Sequence, residues 1–203
     1  MTDFATLAVS EPLRQVLQAQ GITTPTAVQA AAIPAIRDGK SILMQSQTGT
    51  GKTLAYLLPI LERLDPASKA LQAVIMAPTH ELCMQIVEQI RRLTAGGPLR
   101  CVALIGGAGI ARQIERLKDK PQIVVGSPGR LKELATLRRL KLSDVRTVVL
   151  DEIDRLLEAK TKADLEAVLK QTLRSRQLVV VSATLGAGVT EFAAAWSEQP
   201  ETV

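Results

Sequence analysis

The chain is predicted to be an α/β domain, a doubly wound parallel sheet with helices on both faces, and three observations point there. Six apolar, strand-like runs alternate with helix-patterned segments along the 203 residues, the pattern of successive βαβ units. The runs are continuously apolar, as expected of strands covered on both faces. A glycine-rich loop leads from the first run into a helix, a connection that presents backbone N–H groups to an anion. With 46% hydrophobic residues, a chain of this size can bury one substantial core without disulfide or metal staples.

The predicted strands follow in order. Ile42–Met44 precedes the glycine-rich loop, and Leu54-Ala55-Tyr56-Leu57-Leu58 after it suits a helix. Ala73–Ala77 and Cys101–Ile105 come next, then Ile123–Val125. Thr147–Leu150 is β-branched and ends in Asp151-Glu152-Ile153-Asp154, and Leu178–Val181 ends in Ser182-Ala183-Thr184. No internal repeat, low-complexity segment or long linker divides the chain, so a single domain over residues 1–203 is expected.

The loop from Ser46 to Thr53, Ser-Gln-Thr-Gly-Thr-Gly-Lys-Thr, reads as a phosphate cradle. A helix N-terminus offers unpaired N–H groups and the positive end of its dipole. Gly49 and Gly51 let the backbone curl round an anion where a side chain would collide. Lys52 reaches the β- and γ-phosphates, and the Thr53 hydroxyl is placed to help hold Mg²⁺. Ser46 stands where the generic motif begins with glycine, and it is small enough for the turn.

A phosphate loop needs a metal-binding acid on a nearby strand, and Asp151 is the candidate. Carboxylates at the C-terminal end of a strand lie where open α/β sheets place their ligands. Asp151 is expected to hold Mg²⁺, largely through water. Glu152 is expected to orient or deprotonate the attacking water. The structural alternative is an acidic first helical turn, which is stabilising by itself.

These two sites and their surroundings resemble the DEAD-box family of ATP-dependent RNA helicases, over nearly the whole chain and in the family's motif order. Residues 21–29, Gly-Ile-Thr-Thr-Pro-Thr-Ala-Val-Gln, look like the Q motif, with Phe4 as its isolated upstream aromatic. Residues 46–53 match motif I. Pro78-Thr79-His80-Glu81-Leu82 resembles motif Ia, Gly106-Gly107 the double-glycine element, and Ser127-Pro128-Gly129-Arg130 motif Ib. Residues 151–154 resemble motif II, and Ser182-Ala183-Thr184 motif III.

The resemblance implies a RecA-like fold, ATP/ADP and Mg²⁺ as cofactors, and RNA as partner. Its nucleotide-binding positions fall on Phe4, Ile22, Thr24, Gln29, Ser46, Thr48, Gly49, Thr50, Gly51, Lys52 and Thr53. Catalytic roles fall on Lys52, Asp151, Glu152, Asp154, Ser182 and Thr184, with Thr53 and Asp151 at the metal. The Gln29 amide has the donors and acceptor to pair with the Hoogsteen edge of adenine and so to prefer ATP over GTP. The Ser182 and Thr184 hydroxyls are expected to bond Asp154, tying hydrolysis to the domain surface; strand-end capping is the alternative. RNA contacts fall on Pro78, Thr79, His80, Gly107, Ser127, Gly129 and Arg130.

Four positions depart from the family pattern. Ile22 occupies the place of an adenine-stacking aromatic, Ser46 that of an alanine, His80 that of an arginine facing RNA, and Ile153 that of an alanine. Ile153 is expected to pack beneath the strand end and leave the chemistry unchanged.

Charge and aromatic content narrow the mode of RNA binding. The net charge is +5, yet residues 112–146 hold ten Lys or Arg against four Asp or Glu, enough to attract a polyanion or simply to solvate helix faces. The aromatics are Phe4, Tyr56, Phe192 and Trp196, none in the RNA-facing motifs. Base-reading proteins rely on stacking platforms, so this chain is expected to grip sugars and phosphates without regard to sequence.

Cys83 and Cys101 lack metal-ligand spacing and read as reduced core cysteines. The N-terminus does not resemble a signal peptide and no stretch approaches a membrane span, so the expected location is cytoplasmic. The family couples this domain to a second RecA-like domain bearing arginine fingers, and the chain stops about where the interdomain connection begins. It is therefore expected to hydrolyse ATP productively only with that partner domain. Two rival readings are a non-helicase P-loop enzyme, such as a small-molecule kinase, and a non-catalytic RNA-binding module with a decayed pocket. Gln29, Pro78-Thr79 and the Asp-Glu-x-Asp acids oppose the first; Lys52, Asp151 and Glu152 oppose the second.

Overall fold

The computed structural model describes residues 3–47 and 49–203. Its centre is a seven-stranded sheet, every pairing parallel, in the order β3-β4-β2-β5-β6-β1-β7. The strands are β1 (Ile42–Gln45), β2 (Ala73–Met76), β3 (Cys101–Leu104), β4 (Ile123–Gly126), β5 (Thr147–Leu150), β6 (Gln177–Ser182) and β7 (Glu201–Thr202). The six runs expected from the sequence all form strands, with ends shifted by at most a residue. β7 is an addition: two exposed residues that join the sheet edge by pairing with β1.

Because successive side chains on a strand point to opposite faces, each strand feeds two cores. Ile42, Met44, Ala73, Ile75, Val149, Val179 and Val181 belong to one apolar cluster. Leu43, Val74, Met76, Val148, Leu150, Leu178 and Val180 belong to the other. Helices α1 (Glu11–Ala19), α2 (Ala27–Arg37), α3 (Lys52–Arg63) and α4 (His80–Leu93) cover the first face. The second is covered chiefly by α6 (Pro128–Thr136), α7 (Ile153–Leu156), α8 (Ala159–Leu169) and α9 (Ala187–Trp196), with α5 (Ile110–Leu117) packed at its margin. Burial on both faces explains why these strands read as unbroken apolar runs.

In an all-parallel sheet every strand ends at the same edge, so the loops after β1 to β6 collect there. Their order along that edge follows the strand order. The loops after β5, β6 and β1 sit side by side, and those after β3, β4 and β2 form the neighbouring group. Among the described residues, no helix is long and apolar enough to cross a membrane.

Candidate functional site

The phosphate loop runs from the end of β1 to the start of α3. Gly49 and Gly51 have φ of +88° and +85°, a left-handed backbone that costs a residue with a Cβ about 1–2 kcal/mol. Gly51 is the N-cap of α3, so Lys52 opens the helix with its amide facing the loop. The Ser46 N–H donates to the Ser182 carbonyl at 2.9 Å, which sets the loop against the end of β6. The Ser46 hydroxyl is buried and hydrogen-bonds the Thr50 hydroxyl, so serine serves this turn as expected. Thr48 lies outside the described residues.

The Q-motif segment reaches the loop through Gln29. Thr26 and Gln29 form a reciprocal capping box that starts α2, satisfying two orphan donors. The Gln29 Oε1 accepts from the Thr26 N–H at 3.0 Å. Its Nε2 donates to the Gly51 carbonyl at 3.1 Å. The side chain is 2% exposed. Gln29 therefore braces the loop directly, a role the sequence reading did not assign. Ile22 is half-buried against the core and Thr24 is exposed.

Phe4 requires a correction. Its ring is 4% exposed and belongs to the apolar cluster with Leu7, Val9 and Leu13. It anchors the N-terminal segment and leaves no free face for the nucleotide contact that the resemblance implied, because apolar burial outweighs exposure of an aromatic at this position.

Asp151 follows β5 directly and is fully buried. Its Oδ1 lies 3.6 Å from the Lys52 ammonium and has no hydrogen-bond partner. Its Oδ2 accepts from the Tyr56 hydroxyl at 2.9 Å. Burial raises the Asp151 carboxyl above its ordinary range, while Lys52 and the Tyr56 hydroxyl pull it back. Burial, reinforced by the Asp151 charge, also holds the Tyr56 hydroxyl well above its usual value. A buried carboxylate oxygen with no hydrogen bond, beside the phosphate loop, is a donor of the kind Mg²⁺ takes, so the residues fit Mg²⁺. Among the described residues no group of three or more His, Cys, Asp or Glu gathers to hold a metal; a cation bound mostly by water and phosphate needs none.

Glu152 adopts a left-handed conformation, φ +52°, as the N-cap of α7. That conformation is strained for a residue with a Cβ, and such strain concentrates at functional sites. Its carboxylate meets Arg155 at 3.2 Å. Ile153 is fully buried beneath the strand end, as expected. The Ser182 hydroxyl donates to Asp154 Oδ1 at 3.3 Å, so the expected link between motifs II and III is present through serine. Thr184 is exposed, and its N–H donates to the Ser182 hydroxyl at 3.3 Å.

The candidate RNA residues occupy the adjoining loops. Thr79 caps α4, its hydroxyl accepting from the Leu82 N–H at 3.2 Å. His80 is the first residue of that helix and exposed, beside half-buried Pro78. Gly107, exposed, has φ +76°. Gly129 is exposed and Ser127, the N-cap of α6, is half-buried. Arg130 differs from expectation: its guanidinium donates to the Ala108 carbonyl at 3.2 Å and pairs with Glu133 at 3.0 Å, with the side chain 10% exposed. In this arrangement it supports the double-glycine loop more than it faces outward. The surrounding basic stretch is also partly self-neutralised, since Lys118, Lys132 and Lys141 pair with Glu115, Asp164 and Asp144.

An all-parallel sheet with a phosphate loop after one strand and a buried acid after a nearby one defines a RecA-like P-loop domain. The profile of the DEAD/DEAH box helicase family matches residues 26–192, and the chain belongs to that family. It is 44% identical to the DEAD-box ATP-dependent RNA helicase CshC of Bacillus cereus over 191 residues, 94% of this chain and 49% of that protein. It is 46% identical to the probable ATP-dependent RNA helicase YfmL of Bacillus subtilis over 185 residues, 91% of this chain and 49% of that protein. The crystal structure of a DEAD box protein from the hyperthermophile Methanococcus jannaschii superposes with a TM-score of 0.94 at 28% identity, covering all of this chain and 55% of that one. The chain thus spans about half the length of the curated relatives it matches.

Proposed function

We propose that this chain is the ATP-binding domain of an ATP-dependent RNA helicase, acting in the cytoplasm. The observation that carries the reading is the meeting of Lys52 and Asp151, 3.6 Å apart, at the mouth of the Gly49 and Gly51 turn. Lys52 and the loop amides receive the phosphates of ATP or ADP, and Ser46 and Thr50 shape the loop. Ile22, Thr24 and the remaining polar capacity of Gln29 form the adenine side, with Ile22 supplying apolar contact in place of stacking.

Thr53 and Asp151 are the residues that would hold Mg²⁺, which when bound neutralises charge on the transferring phosphoryl group. Glu152 orients the attacking water and receives its proton. Asp154 and Ser182 connect that site to the surface loop holding Thr184. On the adjoining half of the edge, Pro78, Thr79, His80, Gly107, Ser127 and Gly129 present small and hydroxylated groups to an RNA backbone, with Arg130 behind them. Direct contact with sugars and phosphates carries no sequence preference.

Turnover requires a second RecA-like domain to complete the site. Phosphoryl transfer depends on positioning and charge neutralisation, and an arginine finger contributes about 10³–10⁵ in rate. Calorimetric titration with ADP and GDP in the presence of Mg²⁺ tests the reading. Micromolar ADP binding with a clear preference over GDP supports it. Absence of binding favours a non-catalytic RNA module, and phosphorylation of a small-molecule acceptor favours a kinase.

A further inference from the structure

Tyr56 is the chain's only tyrosine, and it is completely buried beneath the phosphate site. It follows Lys52 by four residues on α3, so both side chains emerge on one face of the helix. Both converge on the same carboxylate. Lys52 Nζ approaches Asp151 Oδ1 at 3.6 Å, and the Tyr56 hydroxyl donates to Oδ2 at 2.9 Å. A carboxylate turns readily about its last torsion, whose wells are broad. One fixed oxygen therefore fixes the other. The oxygen left without a hydrogen bond is Oδ1, on the Lys52 side.

The ring of Tyr56 would pack equally well as phenylalanine, so the hydroxyl is not needed to fill space. Its contribution is the bond to Asp151. On the reading that Asp151 holds Mg²⁺ beside the nucleotide, we propose that Tyr56 is a positioning residue. It locks the Asp151 carboxylate so that Oδ1 is presented to the metal-bearing phosphates, and it thereby sets the Mg²⁺ requirement of nucleotide binding. Hydrogen-bond partners that orient metal ligands are commonly worth about 10–100-fold in metal affinity.

The test measures ADP binding to wild-type and Tyr56→Phe chains with EDTA and across a Mg²⁺ titration. The expected result is equal ADP affinity in EDTA, with about tenfold more Mg²⁺ needed by Tyr56→Phe for half-maximal tightening. Reduced affinity in EDTA as well would mark a distorted phosphate loop and overturn the proposal. Identical Mg²⁺ curves would overturn it too, while leaving the nucleotide site intact. A wild-type affinity indifferent to Mg²⁺ would overturn the underlying reading and the proposal together.

A second measurement leaves the Tyr56 hydroxyl in place. Replacing tyrosine globally by 3-fluorotyrosine labels this residue alone. Its fluorine resonance should shift when Mg²⁺ is added to the ADP complex, and the shift should vanish in Asp151→Asn. A resonance unmoved by Mg²⁺ contradicts the proposal.

Discussion

Gln29 and Gly51 hold each other in place: the Gln29 Nε2 donates to the Gly51 carbonyl at 3.1 Å, and a Cβ on residue 51 would fall 2.4 Å from that same nitrogen. The start of α2 and the phosphate loop are one mechanical unit. Gly51→Ala combines a left-handed φ of +85° with this clash. It should weaken ADP binding by about tenfold or more, since strain of about 1–2 kcal/mol falls directly on the loop. Gln29→Ala should lower affinity for both nucleotides by loosening the loop, and narrow the gap between ADP and GDP. Calorimetry on the two variants checks both effects; wild-type affinity in Gly51→Ala contradicts the arrangement.

Lys52 is the sole cationic side chain between Ser46 and Thr53. Lys52→Ala should weaken ADP binding roughly 10–100-fold, as expected for losing hydrogen bonds to a charged group worth about 1.5–3 kcal/mol. Glu152→Gln, in a protein with both helicase domains, should keep ATP affinity and stop hydrolysis, because it removes the base and little of the binding surface. Equal ADP affinity in Lys52→Ala and wild type would remove the phosphate-site assignment.

The sheet was legible because its strands are apolar on both faces, so Val148-Val149-Leu150 and Val179-Val180-Val181 announce themselves without any periodicity. β7 was not, since Glu201 and Thr202 are exposed and join β1 by backbone pairing, helped by a surface ion pair between Glu201 and Lys40. The phosphate loop and the acids after β5 carry their chemistry in local residue order, and the Ser182 to Asp154 bond was anticipated from it. Tyr56 was missed because its partner is 95 residues away; within its helix it looks like one more core residue. Phe4 was placed at the nucleotide by family position alone, and residue order gives no sign that this chain buries the ring. Arg130 has a partner in the Ala108 carbonyl that no spacing rule predicts.

Burial pushes the thiols of Cys83 and Cys101 up to about 12 from the ordinary 9.0. Cys83, fully buried, should not react with a thiol reagent near pH 8 in the native chain, half-buried Cys101 should react slowly, and both should react fully on unfolding. The sign of the linked stability follows: above the ordinary thiol pKa the unfolded chain ionises and the folded one does not. Stability should therefore fall as pH rises from 9 towards about 12, where the unfolded state binds fewer protons. Melting temperatures of wild type against Cys83→Ala/Cys101→Ala check this, and the double variant should show the shallower decline.

His80 opens α4 at the half of the edge proposed to meet RNA and is exposed. His80→Arg in a two-domain protein should tighten RNA binding and steepen its salt dependence, by about one unit of slope or slightly less, because one more phosphate is neutralised. An unchanged slope would place His80 away from RNA and leave it an ordinary helix-start residue.

The central claim is that this domain binds ATP through its own residues yet turns it over only with a second RecA-like domain. RNA-stimulated ATP hydrolysis, measured for the 203-residue chain and for the same chain joined to a second domain, tests it most directly. The account predicts slow, RNA-insensitive hydrolysis by the chain alone and a gain of about 10³-fold or more, now RNA-dependent, once a domain bearing arginine fingers is supplied. Robust RNA-stimulated turnover by the 203-residue chain alone would contradict it.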